Sequence, residues 1–129
     1  MNLQERFGAE ARNRATGTLS PETVYEAFKK GGAVLGKEQQ HLGHPFGAKY
    51  CKGAETGDDL ALSVCEYGSE DEAKRGREFL IKQFASVPNR QVLINGATTL
   101  TVRVGNKTPA NEKLAAQFVR TFQELKFAK

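Results

Sequence analysis

The chain has 129 residues and a mass of 14.2 kDa, which is enough for one domain with its own core and too little for two. Hydrophobic residues make up 39% and charged residues 26% of it, as in ordinary globular proteins, so a disordered or low-complexity chain is excluded. The net charge of +4 is spread over both ends, +2 in residues 1–37 and +3 in residues 106–129. It does not form the dense basic stripe of a nucleic-acid-binding protein.

Residues 1–18 are predicted to be a flexible tail or linker, because Leu3 and Phe7 are their only large apolar side chains apart from Met1. Residues 1–15 carry five charged side chains and no apolar run, unlike a secretion signal. A single domain is therefore expected over residues 19–129.

Three helices are predicted from their capping residues. Ser20, Ser69 and Thr108 each precede a run with helical periodicity, and a proline follows the first and the third of these caps. Glu72 stands three residues after Ser69, which is the spacing of a capping box. Residues 33–45 show little periodicity and are expected to be a connection without a strand.

Alternation of apolar and polar residues predicts four strands. They cover residues 46–52, 60–67, 92–94 and 100–104. The last two are expected to join through a three-residue loop, Asn95–Ala97, because this loop places Val92 opposite Leu100 and keeps one face apolar.

The predicted order α-β-β-α-β-β-α indicates an α+β fold, a two-layer sandwich with a four-stranded antiparallel sheet and its helices on one face. It matches either a circularly permuted ferredoxin-like arrangement or a duplicated ββα unit. The other sheet face is expected to be mixed and polar and to carry Lys49, Cys51, Ser63, Cys65, Tyr67, Thr99, Thr101 and Arg103. Among these, Lys49, Tyr67 and Arg103 are the candidate partner-facing residues.

Cys51 and Cys65 lie at equal distances from Asp58 in the predicted turn, so a simple hairpin register puts them side by side. Opposed strand residues have Cβ atoms about 4.5–5.5 Å apart, slightly more than a disulfide prefers. Both a disulfide and a pair of small unpaired residues remain open at this point. A catalytic dithiol is disfavoured, because there is no Cys-x-x-Cys motif.

His41 and His44 could complete a zinc ligand set with the two cysteines. The cysteines do not have the close spacing of a zinc knuckle, and a loop would have to fold over the hairpin, so no metal and no other cofactor is predicted. The chain has no Gly-x-Ser-x-Gly motif, and its paired carboxylates are explained by a turn and a helix cap. These observations predict a protein that is not an enzyme.

Four short motifs resemble those of small bacterial exported domains of the lipoprotein type, which often follow a lipoprotein signal and a flexible linker. The motifs are Lys49-Tyr50-Cys51, Asp58-Asp59-Leu60, Ser63-Val64-Cys65-Glu66-Tyr67 and Asn95-Gly96-Ala97-Thr98-Thr99-Leu100-Thr101. The resemblance covers residues 20–127. It implies an extracytoplasmic domain in which Cys51 and Cys65 are bridged and residues 1–18 are the linker left after a signal was removed. It implies no activity.

The expected function is therefore a non-enzymatic binding or accessory domain of the bacterial cell envelope. It would contact an unidentified protein partner through the sheet face, or through the first helix and the tail, and would be attached to a membrane only through a lipid anchor that was removed. A periplasmic or envelope location is favoured, and a cytoplasmic one remains open. The alternatives are a cytoplasmic module for single-stranded nucleic acid, with Tyr67 as the stacking platform, and an immunity-type or inhibitor protein.

Overall fold

The structure is a computed structural model that describes residues 1–127. These residues form an α+β fold with a five-stranded antiparallel sheet in the order β1-β2-β3-β5-β4 and four α-helices. The helices are α1 (Leu3–Arg12), α2 (Pro21–Lys30), α3 (Glu70–Gln83) and α4 (Pro109–Glu124). The strands are β1 (Gln39–His41), β2 (Tyr50–Thr56), β3 (Leu60–Glu66), β4 (Arg90–Asn95) and β5 (Thr98–Val104), and a short 3-10 helix covers His44–Phe46. None of the helices in this part of the chain has the length and hydropathy needed to cross a bilayer.

The three predicted helix starts are confirmed. The hydroxyls of Ser20, Ser69 and Thr108 each accept a hydrogen bond at 3.1 Å from the amide three residues further on. Each cap satisfies one of the amides that the first helical turn leaves without a partner. Because a cap depends only on residues that are close in sequence, the capping residues predicted these helix starts correctly.

One face of the sheet, called here the apolar face, is covered by α2 and α4. The fully buried Phe122 of α4 packs against it, as do the mutually tilted rings of Phe28 and Phe118, whose centroids are 4.5 Å apart. From the sheet this face receives Ala54, Leu60, Leu62, Val64, Leu100, Val102 and Val104. It holds the larger of the two hydrophobic clusters.

The opposite face, called here the disulfide face, is packed by α3. Its smaller cluster contains Ala48, Cys51, Cys65, Tyr67 and Ala73. The prediction that all helices lie on one face is therefore wrong, and it is wrong for both arrangements considered, the permuted ferredoxin-like one and the duplicated ββα one. The cysteines and Tyr67, which were expected to form a mixed polar surface, supply enough apolar area to hold a helix.

The β4–β5 hairpin has a different register from the one predicted. Asn95 pairs with Thr98 and Leu93 pairs with Leu100, so the turn consists of the two residues Gly96 and Ala97. Val92 and Ile94 then belong to the disulfide face, where Ile94 packs against the cysteine cluster. Apolar residues fill three consecutive positions of β4 and both sides of it are packed, so parity could not select the register.

The sheet has five strands in the described residues, not four. The additional strand β1 lies within residues 33–45, where a connection was predicted, and it pairs with β2 through Gln39↔Gly53 and His41↔Cys51. The 3-10 helix follows β1, and for this reason β2 begins at Tyr50 and not at residue 46. With α1 and β1 added, the predicted order α-β-β-α-β-β-α is incomplete.

The segment expected to be a flexible tail contains α1 and contacts the domain. Glu10 accepts hydrogen bonds from the amides of Gly43 and His44 at 2.7 and 3.1 Å, and Gln40 donates to the Phe7 carbonyl at 2.9 Å. None of the residues of α1 is buried. The helix is therefore held by polar contacts, which a search for apolar side chains does not detect.

Candidate functional site

Three residues that differ in chemistry lie side by side across the first three strands of the sheet. His41 of β1 pairs with Cys51 of β2, and Cys51 pairs with Cys65 of β3. Directly paired residues of antiparallel strands point to the same face. The predicted opposition of the cysteines is confirmed, and they form the disulfide that the resemblance implies.

His41 also contacts Ser63, which lies two residues before Cys65 on the same face. Its Nε2 is 2.7 Å from the Ser63 hydroxyl oxygen. Burial lowers the pKa of His41, while the Leu42 backbone and the Glu10 carboxylate act in the opposite direction. The imidazole is therefore neutral at neutral pH, and one of its nitrogens is free of a proton.

Helix α3 covers only part of the disulfide face. On one side, Arg77 donates a hydrogen bond to the carbonyl of Val92 on the edge strand β4 at 2.8 Å. On its other side, the ring of Phe79 lies 6.3 Å from the ring of Phe46, which precedes β2. The start of the helix packs against the cysteines through Ala73, and the helix then lies over β4 and β5. The part of the face beyond the cysteines, at Gly53, Ala61 and Ser63, is left uncovered by a helix of the described chain.

We call this surface the open patch and define it by His41, Phe46, Gly53, Ala61, Ser63 and Phe79. Gly53 and Ser63 are paired neighbours and Ala61 follows on the same face, so small residues form the floor. Three aromatic rings line one margin, those of His41, Phe46 and Phe79. The ring centroids of His41 and Phe46 are 6.2 Å apart, and those of Phe46 and Phe79 are 6.3 Å apart. A cavity of about 410 Å³ adjoins the floor and is lined in part by His41, Gly53 and Ala61.

Phe79 is the most informative residue of the open patch, because 43% of its surface is exposed. A single exposed apolar residue is ordinary, but here the ring lies beside Phe46, which in turn lies beside His41 at the edge of a floor of small side chains. This combination resembles the centre of a protein interface, where an apolar side chain of the partner fills a recess beside an aromatic residue.

The contact between His41 and Ser63 has the distance of a nucleophile and its general base. Ser63 lies inside the central strand β3, between Gly53 of β2 and Thr101 of β5, so its backbone is engaged in the sheet. Acyl transfer also needs free backbone amides, or equivalent donors, to stabilise an oxyanion. The middle of a fully paired strand does not present such amides beside the serine.

Of the three candidate partner-facing residues, Tyr67 is buried, and the prediction that it faces a partner is wrong. It lies beneath α3 against Gly76, and its hydroxyl has no hydrogen-bond partner among the described residues. Burial raises the pKa of Tyr67. The alternative function in single-stranded nucleic-acid binding loses the aromatic platform on which it depended.

Lys49 and Arg103 lie on the surface but do not belong to one site. Lys49 is exposed just before β2, beside Glu72 at the start of α3. Arg103 pairs with Ala61 towards the other end of the sheet and forms an ion pair with Asp59 at 3.6 Å. The structure therefore does not bring together the three residues that were singled out.

No site was predicted at Phe46, Gly53, Ala61 and Phe79. Gly53 was assigned to the turn, and the contribution of His41 was missed because β1 was not predicted. The small residues at alternating positions of β3, Ala61 and Ser63, were the available signal, since a covered strand face normally carries larger side chains.

A second cavity, of about 600 Å³, is a groove between α4 and the start of β4. Its walls include Val104, Ala115, Ala116 and Val119, and charges of both signs lie at its rim, among them Lys107 and Glu112, 3.8 Å apart. The lining side chains of this groove are aliphatic, polar or charged, whereas aromatic rings border the open patch.

No protein-family model, no curated protein and no solved structure matches the chain. The function is therefore inferred from the residues and their geometry.

Proposed function

We propose that the protein is a non-enzymatic binding or accessory domain of the bacterial cell envelope and that it binds a protein partner through the open patch. The observation that carries this proposal is the exposed ring of Phe79 at the end of an aromatic margin that leads through Phe46 and His41 to the floor of Gly53, Ala61 and Ser63. Its residues project at most two heavy atoms from the sheet, so the floor is recessed and leaves room for an inserted side chain.

The chemistry of the open patch favours an aromatic or aliphatic side chain as the inserted group. The floor and the aromatic margin are uncharged when His41 is neutral, and the cavity beside them is flanked by one cation and one anion, Lys37 and Glu55. A polyanion such as single-stranded RNA would require a basic surface instead. A protein surface with a protruding apolar residue fits this charge pattern better.

The disulfide supports a location outside the cytosol. Cys51 and Cys65 form a disulfide, and such bonds persist in oxidising compartments, whereas cytosolic thiols are kept reduced. Together with the resemblance to exported bacterial domains, this favours the envelope over the cytoplasm.

Site-specific photo-crosslinking in cells that make the protein natively would test the proposal. A photoreactive amino acid is placed at position 61 in the open patch and, as a matched control, at position 116 in the groove beside α4. We expect a discrete protein adduct from position 61 and none from position 116. Adducts that form only from position 116 would move the binding site to the groove and contradict the proposal.

Affinity measurements with the captured partner then separate binding from mere proximity. Ala61→Arg fills the floor and should abolish binding, and Phe79→Ala should weaken it by at least about tenfold, as expected of an interface hot spot. Ala116→Arg places the same charge and bulk on α4 and should leave binding unchanged. Equal effects of the two arginines would contradict the proposal.

The purified protein and its captured partner also distinguish the alternative functions. A salt-sensitive gel shift with single-stranded RNA at low ionic strength would favour the nucleic-acid module. A captured partner that is an enzyme, and that loses its activity on binding, would identify an inhibitor or immunity-type protein that uses the open patch.

A further inference from the structure

We infer that the Cys51–Cys65 pair and His41 form a zinc site that exists only when the disulfide is reduced. The two sulfurs and one imidazole nitrogen lie within 4.8 Å of one another. Two thiolates and one imidazole are a ligand set that Zn²⁺ prefers, with a fourth position left for water or a partner's group. This inference does not rest on partner binding, although His41 and Ser63 also belong to the open patch.

Strand β1 provides the geometry that the sequence spacing did not suggest. A zinc knuckle brings its cysteines together by closeness in sequence, whereas here the register His41↔Cys51↔Cys65 aligns the three ligands across neighbouring strands. No loop has to fold over the hairpin. Zn–S bonds of about 2.3 Å in tetrahedral geometry place two sulfurs about 3.8 Å apart, so the sulfurs must separate after reduction, which side-chain rotation allows.

The surroundings of the three ligands suit a metal ion. Both cysteines are buried and His41 is partly exposed, so the sulfurs are shielded from solvent while the open patch gives access. The Ser63 hydroxyl, 2.7 Å from Nε2, can accept the proton of that nitrogen and leave the other ring nitrogen free to bind the metal. A hydrogen bond of this kind orients histidine ligands in metal sites. Ser63 would thus be a positioning residue.

The redox step requires a dithiol reductant, which is the usual chemistry of thiol–disulfide exchange. The Sγ–Sγ bond breaks, the two sulfurs of the reductant join, and its two protons pass to Cys51 and Cys65. Zn²⁺ then binds both sulfurs and releases these two protons to solvent. Because the same sulfurs form either the disulfide or the metal bonds, the two states exclude each other.

Cobalt titration of the full chain tests the inference. The protein is reduced anaerobically with a phosphine, freed of reductant, and titrated with Co²⁺, whose tetrahedral thiolate complexes absorb in the visible and near-ultraviolet. We expect one equivalent to bind, with thiolate-to-metal charge transfer that Zn²⁺ abolishes by displacement. The oxidised protein should show no such bands. Equal binding by the oxidised protein, or no charge transfer after reduction, would overturn the inference.

Two histidine variants show whether zinc binding requires the alignment of His41 with the two cysteines across the strands. His41→Ala should weaken Zn²⁺ binding by at least about tenfold, and Ser63→Ala should weaken it by about tenfold through loss of orientation. His44→Ala is the matched control, since this exposed histidine is three residues away and should leave the affinity unchanged. Equal affinities of the His41 and His44 variants would mean that the two cysteines bind metal without His41, and this would contradict the site.

A second measurement covers the case in which reduction loosens the fold. Circular dichroism of the reduced protein is followed as Zn²⁺ is added, in parallel for the wild type and for His41→Ala. Recovery of the oxidised protein's spectrum at one equivalent, in the wild type alone, supports the site. Recovery in both proteins, or in neither, contradicts it.

Discussion

The two faces of the sheet are stabilised in different ways. The apolar face is sealed by α2 and α4 with large side chains such as Phe28, Phe118 and Phe122. The disulfide face carries a single helix over two of its five strands and relies on a covalent bond, small residues and the buried Tyr67. The large side chains of the apolar face are buried against α2 and α4 and are not available to a partner. The disulfide stabilises the other face without covering all of it, so part of that surface stays open.

The largest expected effect separates the core of the apolar face from the margin of the open patch. Phe122→Ala removes a fully buried ring and should lower the free energy of unfolding by about 3–5 kcal/mol. Phe79→Ala, which removes a ring that is 43% exposed, should change it by about 1 kcal/mol or less. Urea unfolding of both variants provides the measurement. A comparable loss from Phe79→Ala would show that this ring belongs to the core and not to a binding surface.

Reduction of the disulfide tests how much this bond stabilises the disulfide face. Cys51 and Cys65 are 14 residues apart, and a crosslink that closes a loop of this size is worth about 3 kcal/mol in the chain-entropy account. We expect the free energy of unfolding to fall by about this amount when the wild type is reduced in the presence of a metal chelator. The Cys51→Ala/Cys65→Ala variant should not respond to the reductant. An unchanged stability of the reduced wild type would mean that α3 and Tyr67 hold this face without the bond.

Two helical glycines should respond to the same substitution with opposite signs. A Cβ at Gly76 of α3 would overlap the ring of Tyr67, so Gly76→Ala should destabilise the protein by about 2 kcal/mol despite the gain in helix propensity. A Cβ at Gly8 of α1 would meet only the flexible end of Arg12, so Gly8→Ala should stabilise the protein by about 0.5–1 kcal/mol. Thermal unfolding distinguishes the two signs. Stabilisation by Gly76→Ala would show that Tyr67 can move and that α3 is loosely seated.

Features encoded in neighbouring residues were predictable from the sequence. The caps at Ser20, Ser69 and Thr108 placed three helices, and the symmetry of the β2–β3 turn placed the two cysteines side by side. In each case a short stretch contains the whole physical cause. The α+β class and the antiparallel sheet follow from these elements, and both are confirmed.

Features that depend on contacts distant in sequence were not predictable. Strand β1 has no apolar alternation, and α1 is held by Glu10, which binds amides more than 30 residues away. The register of β4 was ambiguous because its apolar residues are consecutive. The candidate site was therefore only partly predictable. The cysteine pair could be foreseen, but His41 reaches it only because β1 pairs with β2. The open patch depends on the position of α3 on that face.

The attachment of the N-terminal segment offers a smaller effect. Arg14 binds the buried Glu66 through two hydrogen bonds of 2.8 Å, and the Ala15 amide donates a third. Loss of one partner of a buried ion pair costs about 3–5 kcal/mol, but the Arg14 side chain is 32% exposed and water can replace part of the contact. Arg14→Ala should therefore cost about 2 kcal/mol in urea unfolding. The exposed Arg12, replaced by alanine, is the control. Equal effects would mean that the segment is not attached through Glu66.

The smallest expected effect is a change of stability with pH at the same ion-pair cluster. Burial by itself would raise the pKa of Glu22, but hydrogen bonds from Arg14 and Lys52 outweigh it and lower this pKa from 4.5 to about 2. A carboxylate whose pKa is lower in the folded than in the unfolded state stabilises the fold above the unfolded value and loses this contribution as the pH falls towards the folded value. Between about pH 4.5 and about pH 2, the wild type should therefore lose more stability than Glu22→Gln.

The size of this pH effect is limited by solvent. The Glu22 side chain is 43% exposed, so screening should keep the difference between the two proteins below about 1 kcal/mol. Urea unfolding of both proteins at a series of pH values measures it. In an Arg14→Ala background the difference should shrink, because the guanidinium that lowers the pKa is gone. A difference that persists unchanged in that background would assign the effect to Lys52 and show that Arg14 is directed towards Glu66 alone.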